Sequence, residues 1–255
     1  MRIVSWNCKY FWAPRYYGFS DAKHQKITTE YPNDILLIQE ITYKEYVKIL
    51  YKNQYISSDW YCDGKNSITG IAIFSNKYKI EKLIDNLFYL PFRYIVPYKI
   101  NELEDINNEY FIYAVWAKEK IEYDKLHKFD YTENIVEALE YFEKIKLLNS
   151  KSIIIGDFNC ATTKEHSYDS YKKLINIFTE LEFINCAKLN EPNIEYGITY
   201  IDTGGKEFTD DYCFISKSII ESNDIFFEIG KKDNWIKDDL SDHCPICVTI
   251  NKKNG

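Results

Sequence analysis

The segment Ser152-Ile153-Ile154-Ile155-Gly156-Asp157-Phe158-Asn159 joins an apolar run directly to a carboxylate and an amide. A short run of β-branched residues that ends at a glycine is typical of a buried strand. Asp157 and Asn159 therefore follow the carboxyl end of the strand. Asp and Asn are also common in ordinary turns, so this segment predicts a strand and leaves the role of its polar residues open.

Polar side chains stand at the ends of three further predicted strands. Asn7 ends the first strand, and Glu40 follows the apolar run at 34–39. Asp242 and His243 come just before the last strand. Each residue alone has an ordinary explanation as a turn, cap or solvent-facing residue. Four such strand ends in one chain indicate that these side chains meet at a single site.

Short apolar runs alternate with helical patterns along the whole chain, which predicts a mixed α/β architecture. The predicted strands cover residues 2–7, 34–39, 70–75, 110–116, 152–156, 197–201, 211–216, 225–230 and 244–250. The predicted helices begin at Ser20 or Asp21 and run to about Tyr31, cover 43–53, follow Asp130 or Thr132 to about Ile145, and cover 167–181. Helices of this kind cover the faces of sheets.

The length and composition restrict the class of protein. A chain of 255 residues with 45% hydrophobic residues is expected to form one domain over 1–255. The net charge of −7 excludes a broadly basic protein that coats nucleic acid, but it allows a nuclease with a locally positive cleft. The apolar runs are far shorter than the roughly 20 residues of a membrane helix, so no membrane span is predicted. The first strand leaves no room for a signal peptide, and a cytoplasmic location is expected.

Seven cysteines are scattered along the chain, and an odd number suits reduced thiols in the cytosol. Cys244 and Cys247 form a CxxC pattern, but a structural zinc site needs four ligands and no second pair of ligands is present. We expect two small buried thiols on a terminal strand, pointing to opposite faces.

Taken in order, these motifs resemble the endonuclease/exonuclease/phosphatase superfamily with the deoxyribonuclease I-like fold, in a bacterial-type member. The similar segments are the first strand, the "D-hydrophobic-QE" pattern at 34–40, GDFN at 156–159, the strand at 209–216 after the pair Thr199-Tyr200, and SDH-x-P at 241–245. The resemblance spans almost the whole chain. It implies an α+β fold, a four-layer α/β/β/α sandwich of two packed mixed, mostly antiparallel sheets with the site at one rim.

The resemblance also implies a metal. Asn7 and Glu40 would hold Mg²⁺, with Mn²⁺ as a substitute, and Asp242 would contribute to a second or moving metal position. Mg²⁺ is a hard cation that prefers oxygen ligands, usually one or two carboxylates with waters and substrate phosphate, so these residue types suit it.

The remaining roles concern water and proton transfer. His243 would act as general base or stabiliser of the transition state, since imidazole exchanges protons near neutral pH. Asp211 would orient it, although the neighbouring Asp210 is an alternative partner. Asp157 would hold or deprotonate the attacking water, and Asn159 would donate a hydrogen bond to the phosphate.

One departure from the family pattern affects the substrate more than the reaction. Many members carry "N-x-H" where this chain has Val115-Trp116-Ala117, so a phosphate-binding histidine is missing. Lys118 or Lys120 could supply positive charge instead, although lysines after a strand are more often simply solvated. The aromatic and basic segment at 9–19 suits either base stacking or core packing. Trp235 and Phe208 are expected to pack.

Three functions remain open on the sequence. The leading one is a phosphodiesterase that hydrolyses nucleic acid, which would then be the partner of the protein as its substrate. The second is hydrolysis of a small phosphorylated metabolite or a lipid headgroup. The third is a catalytically silent binding module. No protein partner can be inferred.

Overall fold

The computed structural model describes residues 1–9, 20–63, 68–90, 92–105, 108–118, 131–160, 168–190, 197–236 and 240–253. These residues form two six-stranded sheets and a small hairpin of β10 (Tyr200–Ile201) and β11 (Glu207–Phe208). The first sheet has the spatial order β13 (Asn223–Ile229), β14 (Ile246–Lys252), β1 (Arg2–Asn7), β2 (Ile35–Thr42), β4 (Thr69–Ser75) and β3 (Ser57–Tyr61). The second has the order β5 (Tyr78–Lys82), β6 (Ile95–Glu102), β7 (Glu109–Trp116), β8 (Ser152–Asp157), β12 (Asp211–Ser216) and β9 (Phe183–Asn185).

Both sheets are built on the same plan, a central parallel pair with antiparallel strands on either side. β1 pairs with β2 in the first sheet, and β7 pairs with β8 in the second. Parallel neighbours require a crossover connection. α1 (Asp21–Glu30) lies in the first connection and α3 (Tyr131–Lys144) in the second. The carboxyl ends of each parallel pair therefore lie side by side at one end of the sheet.

The strands of the parallel pairs are buried on both faces, which explains their continuous apolar runs. Because side chains alternate along a strand, Ile3 and Leu37 enter the core between the sheets, whereas Val4 and Leu36 enter a second cluster on the outer face. Ile27 of α1 and Ile49 of α2 (Tyr43–Asn53) complete that outer cluster. β1 and β8 contact each other across the inner core.

Helices complete the outer layers. The Oγ of Ser20 accepts the backbone N–H of Lys23 and caps α1, and Thr42 and Glu45 form a reciprocal capping box on α2. α4 (Tyr168–Glu180) packs beside α3. The short helices are α5 (Ala187–Asn190), α6 (Lys217–Ser222) and α7 (Lys232–Trp235), with a 3₁₀ turn at Leu87–Tyr89. The predicted α/β sandwich of two mixed, mostly antiparallel sheets is confirmed. Within the described ranges, no helix combines the length and apolar character needed to cross a membrane.

Several predicted boundaries were wrong. The strand expected at 197–201 is limited to Tyr200–Ile201, and the last strand begins at Ile246 instead of Cys244. Cys244 and Cys247 are buried free thiols, as expected, but both pack in the outer cluster because Cys244 precedes the strand. The sequence did not predict β3, β5, β6, β9 or β11. Of the segment at 9–19, only Lys9 lies among the described residues, and Lys120, Asp130 and Ser167 lie outside them.

Candidate active site

One buried amide connects the two sheets at the rim. Asn7, at the end of β1, donates from Nδ2 to Asp157 Oδ2 at 2.9 Å and to Glu40 Oε1 at 3.2 Å. Its Oδ1 accepts the backbone N–H of Lys9 at 3.0 Å, which sets the orientation of the amide. Because Glu40 belongs to the first sheet and Asp157 to the second, Asn7 brings together the carboxyl ends of β1, β2 and β8.

Glu40 owes its position to a β-bulge. The pairing of β2 with β4 shifts register between Gln39 and Ile41, and Glu40 has a φ of +62°. A bulge adds one residue to the strand and redirects its side chain, and bulges are frequent beside active sites. The side chain of Glu40 is therefore turned toward Asn7 at the end of an otherwise fully buried run.

Asp157 is buried and receives three hydrogen bonds. Besides Asn7, the backbone N–H of Asn159 donates to its Oδ1 at 2.9 Å and Asn159 Nδ2 donates to its Oδ2 at 3.2 Å. The same Nδ2 donates to the carbonyl of Ala117 at 2.8 Å. Asn159 has a φ of +49°, a left-handed conformation that asparagine tolerates better than most residues. Asn159 thus fixes Asp157 against the chain that leaves β7.

Asp211, not Asp210, contacts the histidine. Asp211 Oδ2 lies 2.8 Å from His243 Nδ1, and both side chains are buried. This contact leaves Nε2 as the ring nitrogen that is available to a second partner. Thr199 Oγ1 accepts the backbone N–H groups of both Asp210 and Asp211, at 2.9 and 3.0 Å, and so fixes the start of β12.

The segment that carries His243 is attached to the first strand. Ser241 Oγ donates to the carbonyl of Asn7 at 2.7 Å and accepts the backbone N–H of His243 at 3.1 Å. Trp6 Nε1 donates to the carbonyl of His243 at 2.9 Å. The ring of Tyr200 packs 4.7 Å from the imidazole, measured between ring centroids. The histidine is therefore held from both sides.

Asp157, Asp211 and His243 form a buried group in which one polar atom from each residue lies within 4.8 Å of the others. Burial raises the pKa of Asp157 to about 8; Asp211 acts in the same direction and His243 opposes it. Burial disfavours the charged imidazole, but the carboxylates of Asp211 and Asp157 outweigh it and hold the pKa of His243 well above its usual value. The imidazole is thus strongly basic beside a carboxylate that readily holds a proton.

Asp242 lies apart from that group and is engaged by a lysine. Lys9 Nζ lies 2.7 Å from Asp242 Oδ2, and the backbone carbonyl of Asp242 accepts the N–H of Ile201 at 3.0 Å. The structure therefore brings Asn7, Glu40, Asp157, Asn159, Asp211 and His243 into one hydrogen-bonded or closely packed constellation. In the described arrangement the charge of Asp242 is neutralised by Lys9.

Sequence reasoning missed several residues that support the site. Lys9 was noted only as part of the segment at 9–19, and its ion pair with Asp242 was not predicted because the two residues are far apart in the chain. Lys23 is fully buried and its Nζ donates to the backbone carbonyl of Cys8 at 2.7 Å, a contact that no residue type reveals. Ser241 was visible only as part of the SDH motif. Trp235 is a packing residue, as expected, with its ring 4.9 Å from that of Trp6. Phe208 stacks on Tyr200.

The donor set suits a hard divalent cation. It consists of carboxylates and an amide, which are the oxygen donors that Mg²⁺ and Mn²⁺ prefer. Two ligand sets can be drawn, one around Glu40 and Asn7 and one from Asp157, Asp211 and His243. The second set includes an imidazole nitrogen, whereas Mg²⁺ prefers oxygen donors, so the set around Glu40 fits this cation better.

Known structures share this architecture. No protein-family model and no curated protein matches the sequence. A 3′ phosphatase from Neisseria, solved with a product DNA hairpin, superposes with a TM-score of 0.68 at 14% identity, covering 98% of this chain and 99% of that one. An endonuclease/exonuclease/phosphatase from Bacteroides vulgatus gives 0.67 at 16% identity, with 99% and 98% covered. An AP endonuclease from Archaeoglobus fulgidus gives 0.61 at 16% identity, with 98% and 99% covered.

The chain has the fold of the endonuclease/exonuclease/phosphatase proteins. At these identities the likeness concerns the fold, and the chemistry has to be argued from the side chains. In this endonuclease/exonuclease/phosphatase fold Asn7, Glu40, Asp157, Asn159 and His243 lie together at one rim, and Asp242 lies beside them in an ion pair with Lys9.

Proposed function

We propose that the protein is a divalent-metal-dependent phosphodiesterase that hydrolyses nucleic acid, with Mg²⁺ as its metal and Mn²⁺ as a substitute. The observation that carries this proposal is the meeting of the Asp211–His243 pair with Asp157, which the Asn7 amide joins to Glu40. Attack of water on a phosphate ester needs a proton acceptor, stabilisation of developing negative charge and precise positioning. This constellation offers groups for each need.

Asn7 and Glu40 would hold the metal, which requires the Asn7 amide to present Oδ1 instead of Nδ2 toward Glu40. Asp242 would be a further ligand if Lys9 moves away from it. When bound, the cation neutralises phosphoryl oxygens and stabilises the leaving oxygen. In the described arrangement Lys9 pairs with Asp242 at 2.7 Å. Asp242 is therefore a secondary ligand in this proposal.

The protein side chains position and deprotonate the water. Asp211 accepts from Nδ1 of His243 and fixes the ring, so that Nε2 faces the reacting groups. Because the neighbouring carboxylates hold the pKa of His243 well above its usual value, the imidazolium stabilises developing negative charge, and the ring acts as base only after it has lost its proton. Asp157 holds the water in hydrogen-bond range. Both Nδ2 hydrogens of Asn159 are used, by Ala117 and Asp157, so Asn159 must exchange one of these bonds to contact the phosphate.

The proposed substrate class takes support from the similar structures. The Neisseria protein is named a 3′ phosphatase bound to a DNA hairpin, and the Archaeoglobus protein an AP endonuclease. A small phosphate ester is the second candidate because the reaction chemistry is the same. A cytoplasmic location belongs to the proposal too, since seven free cysteines suit a reducing compartment.

The test is a substrate panel. Single- and double-stranded DNA, RNA and small phosphate esters are incubated with Mg²⁺, Mn²⁺ or EDTA. We expect hydrolysis of oligonucleotides that EDTA abolishes and that His243→Ala removes. Hydrolysis of small esters alone would favour the second candidate. A folded protein that turns over no member of the panel would reject phosphoesterase activity and favour a silent binding module.

A further inference from the structure

A single buried side chain holds the backbone of two basic residues near the carboxyl end of β7. Asn134, on α3, accepts the backbone N–H of Arg93 at 2.9 Å and donates from Nδ2 to the Arg93 carbonyl at 3.0 Å. The same Nδ2 donates to the carbonyl of Lys118 at 3.2 Å. Asn134 is 1% exposed. The two basic residues are therefore fixed side by side, although they are 25 residues apart in the chain.

The ammonium group of Lys118 rests on aromatic rings. Its Nζ lies 3.6 Å from the centroid of the Trp116 ring and 5.3 Å from that of Tyr94. The two rings contact each other edge to face, with centroids 4.8 Å apart. A cation over an aromatic face is attracted by the ring, and the contact restricts a side chain that otherwise loses much entropy on binding. The charge of Lys118 is thus held in place before any ligand arrives.

The backbone of Lys118 adjoins the chain that fixes Asp157. The residue before it, Ala117, donates its N–H to the carbonyl of Asp157 at 2.8 Å and accepts from Asn159 Nδ2 at 2.8 Å. Arg93 is oriented by an ion pair with Asp63 at 2.8 Å, and Asp63 also accepts from the hydroxyl of Tyr94. Lys118 therefore follows directly after the residue that contacts Asp157 and Asn159. It is not itself one of the residues of the proposed catalytic site.

The negative charge of the protein explains why a cation at this position would help a nucleic acid to bind. The protein has a net charge of −7, and the site is dominated by carboxylates, so a polyanion approaching it meets repulsion. A small phosphate ester has only the phosphate that reacts, whereas a nucleic acid carries further phosphates on either side. A cation that is fixed near the site, but does not take part in the reaction, is suited to bind a phosphate that flanks the one being cleaved.

We propose that Lys118, positioned by Asn134 and the Trp116 ring, binds a backbone phosphate adjacent to the one that is cleaved. The site therefore selects polynucleotides over small phosphate esters. This inference rests on the proposed phosphodiesterase function and adds the surface that recognises the substrate.

The experiment compares Lys118→Met with wild type on two substrates, a fluorescein-labelled DNA oligonucleotide and the small diester bis(p-nitrophenyl) phosphate. Methionine keeps an apolar stem on Trp116 and removes the charge. We expect KM for the oligonucleotide to rise about fivefold, as for loss of one ion pair, with unchanged kinetics on the small diester. In EDTA, anisotropy titrations should show the slope of log Kd against log salt falling by about one.

Two variants serve as controls. Lys118→Arg should restore most of the binding, because it keeps the charge. Lys99→Met removes a lysine at the far end of the same sheet, where it pairs with Glu109 at 2.8 Å, and should change neither binding nor its salt slope.

The outcomes separate the two proposals. If wild type cleaves the oligonucleotide and Lys118→Met does so with the same KM and salt slope, the role of Lys118 is rejected and the phosphodiesterase proposal stands. If neither substrate is hydrolysed, the phosphodiesterase proposal fails, and the titrations in EDTA still decide whether Lys118 contacts DNA. An effect of equal size on the small diester would place Lys118 on the reacting phosphate and overturn its assignment to a flanking one.

Discussion

At the scale of single residues, the hydrogen bonds that each side chain makes determine which role it can take in the site. His243 Nδ1 is occupied by Asp211, and the position of Asp211 depends on Thr199. A carboxylate in this position fixes one tautomer of the imidazole and stabilises its charged form. In the proposed mechanism the aspartate would therefore act through the histidine, as a positioning residue.

Asp211→Asn tests this role. The amide is nearly the same size but removes the negative charge and can present its NH₂ group to Nδ1, which favours the wrong tautomer. We expect kcat on an oligonucleotide to fall by about 10²–10⁴-fold, with a normal far-ultraviolet circular dichroism spectrum. Asp224→Asn, on the exposed part of β13, is the matched control and should leave kcat unchanged. Full activity in Asp211→Asn would show that Asp211 does not orient the catalytic imidazole.

A second residue-scale prediction concerns His24, which is buried on α1 with Nε2 2.7 Å from the hydroxyl of Tyr55. Burial lowers its pKa from 6.5 to about 4. Between these values the unfolded chain binds a proton that the folded chain does not, so stability falls as the pH falls. From pH 7 to pH 5 the loss from this group is about 2 kcal/mol.

Urea unfolding of wild type and His24→Gln at several pH values measures this contribution. The variant lacks the titrating group, so its free energy of unfolding should fall less than that of wild type between pH 7 and pH 5. If the free energies of unfolding of the two proteins fell in parallel with pH, His24 would not be the source of this pH dependence, whatever the absolute stability of the variant.

At the scale of elements, most of the predicted strands are buried on both faces, whereas β3 and β5, which were missed, are largely half-buried or exposed. The bounds of β1 and β12 were predicted correctly because their apolar runs are continuous. β5 was missed because three of its five residues are charged and its run is short, and β6 because Pro97 interrupts its pattern. Pro97 is tolerated inside the sheet, where its carbonyl still accepts the N–H of Leu83 at 3.0 Å. The bulge at Glu40 had no local sequence signal, since it depends on pairing with β4.

Gly156 occupies a position in β8 at which there is no space for a side chain. Its φ is +146°, and a Cβ there would lie 2.0 Å from the carbonyl oxygen of Val115 on β7. Gly156→Ala should therefore separate β7 from β8 beside Asp157. We expect a loss of about 3 kcal/mol or more in the free energy of unfolding.

Gly205 provides the control, because its φ is also positive, at +79°, but a Cβ there meets nothing within 4 Å. Gly205→Ala should cost only the backbone strain of a left-handed residue, about 1–2 kcal/mol. Urea unfolding measures both variants. Equal losses at the two positions would mean that the close approach of β7 and β8 is not the constraint.

At the scale of the whole molecule, the site exists because two sheets of the same plan pack with the ends of their parallel pairs together. The order of motifs, through the family resemblance, was enough to predict two packed sheets and the convergence of Asn7, Glu40 and Asp157 at one rim, but not the parallel pairs or the strand order. The sequence did not predict the ion pair of Lys9 with Asp242. It also did not predict the hydrogen bonds from Asn134 to the backbone of Arg93 and Lys118. Those contacts join residues far apart in the chain, and each residue type is ordinary at its own position.

Because the Asn7 amide joins Glu40 of one sheet to Asp157 of the other, a metal at Asn7 and Glu40 should stabilise the sandwich as a unit. A ligand at 100 times its Kd contributes about 2.7 kcal/mol. For a chain of this length we expect Mg²⁺ to raise Tm by about 5–10 °C in a single transition that EDTA reverses. Differential scanning calorimetry measures this shift in Tm. The control variant is Glu180→Gln, at an exposed position of α4, and it should retain the shift.

The same measurement decides between the two ligand sets. Glu40→Gln should abolish the shift caused by Mg²⁺, whereas Asp157→Asn should reduce it only partly, because Asp157 reaches the metal ligands through the Asn7 amide. The opposite pattern, with the shift intact in Glu40→Gln and lost in Asp157→Asn, would place the metal at the group of Asp157, Asp211 and His243. His243 would then be a ligand, and its role as the proton acceptor would have to pass to another residue.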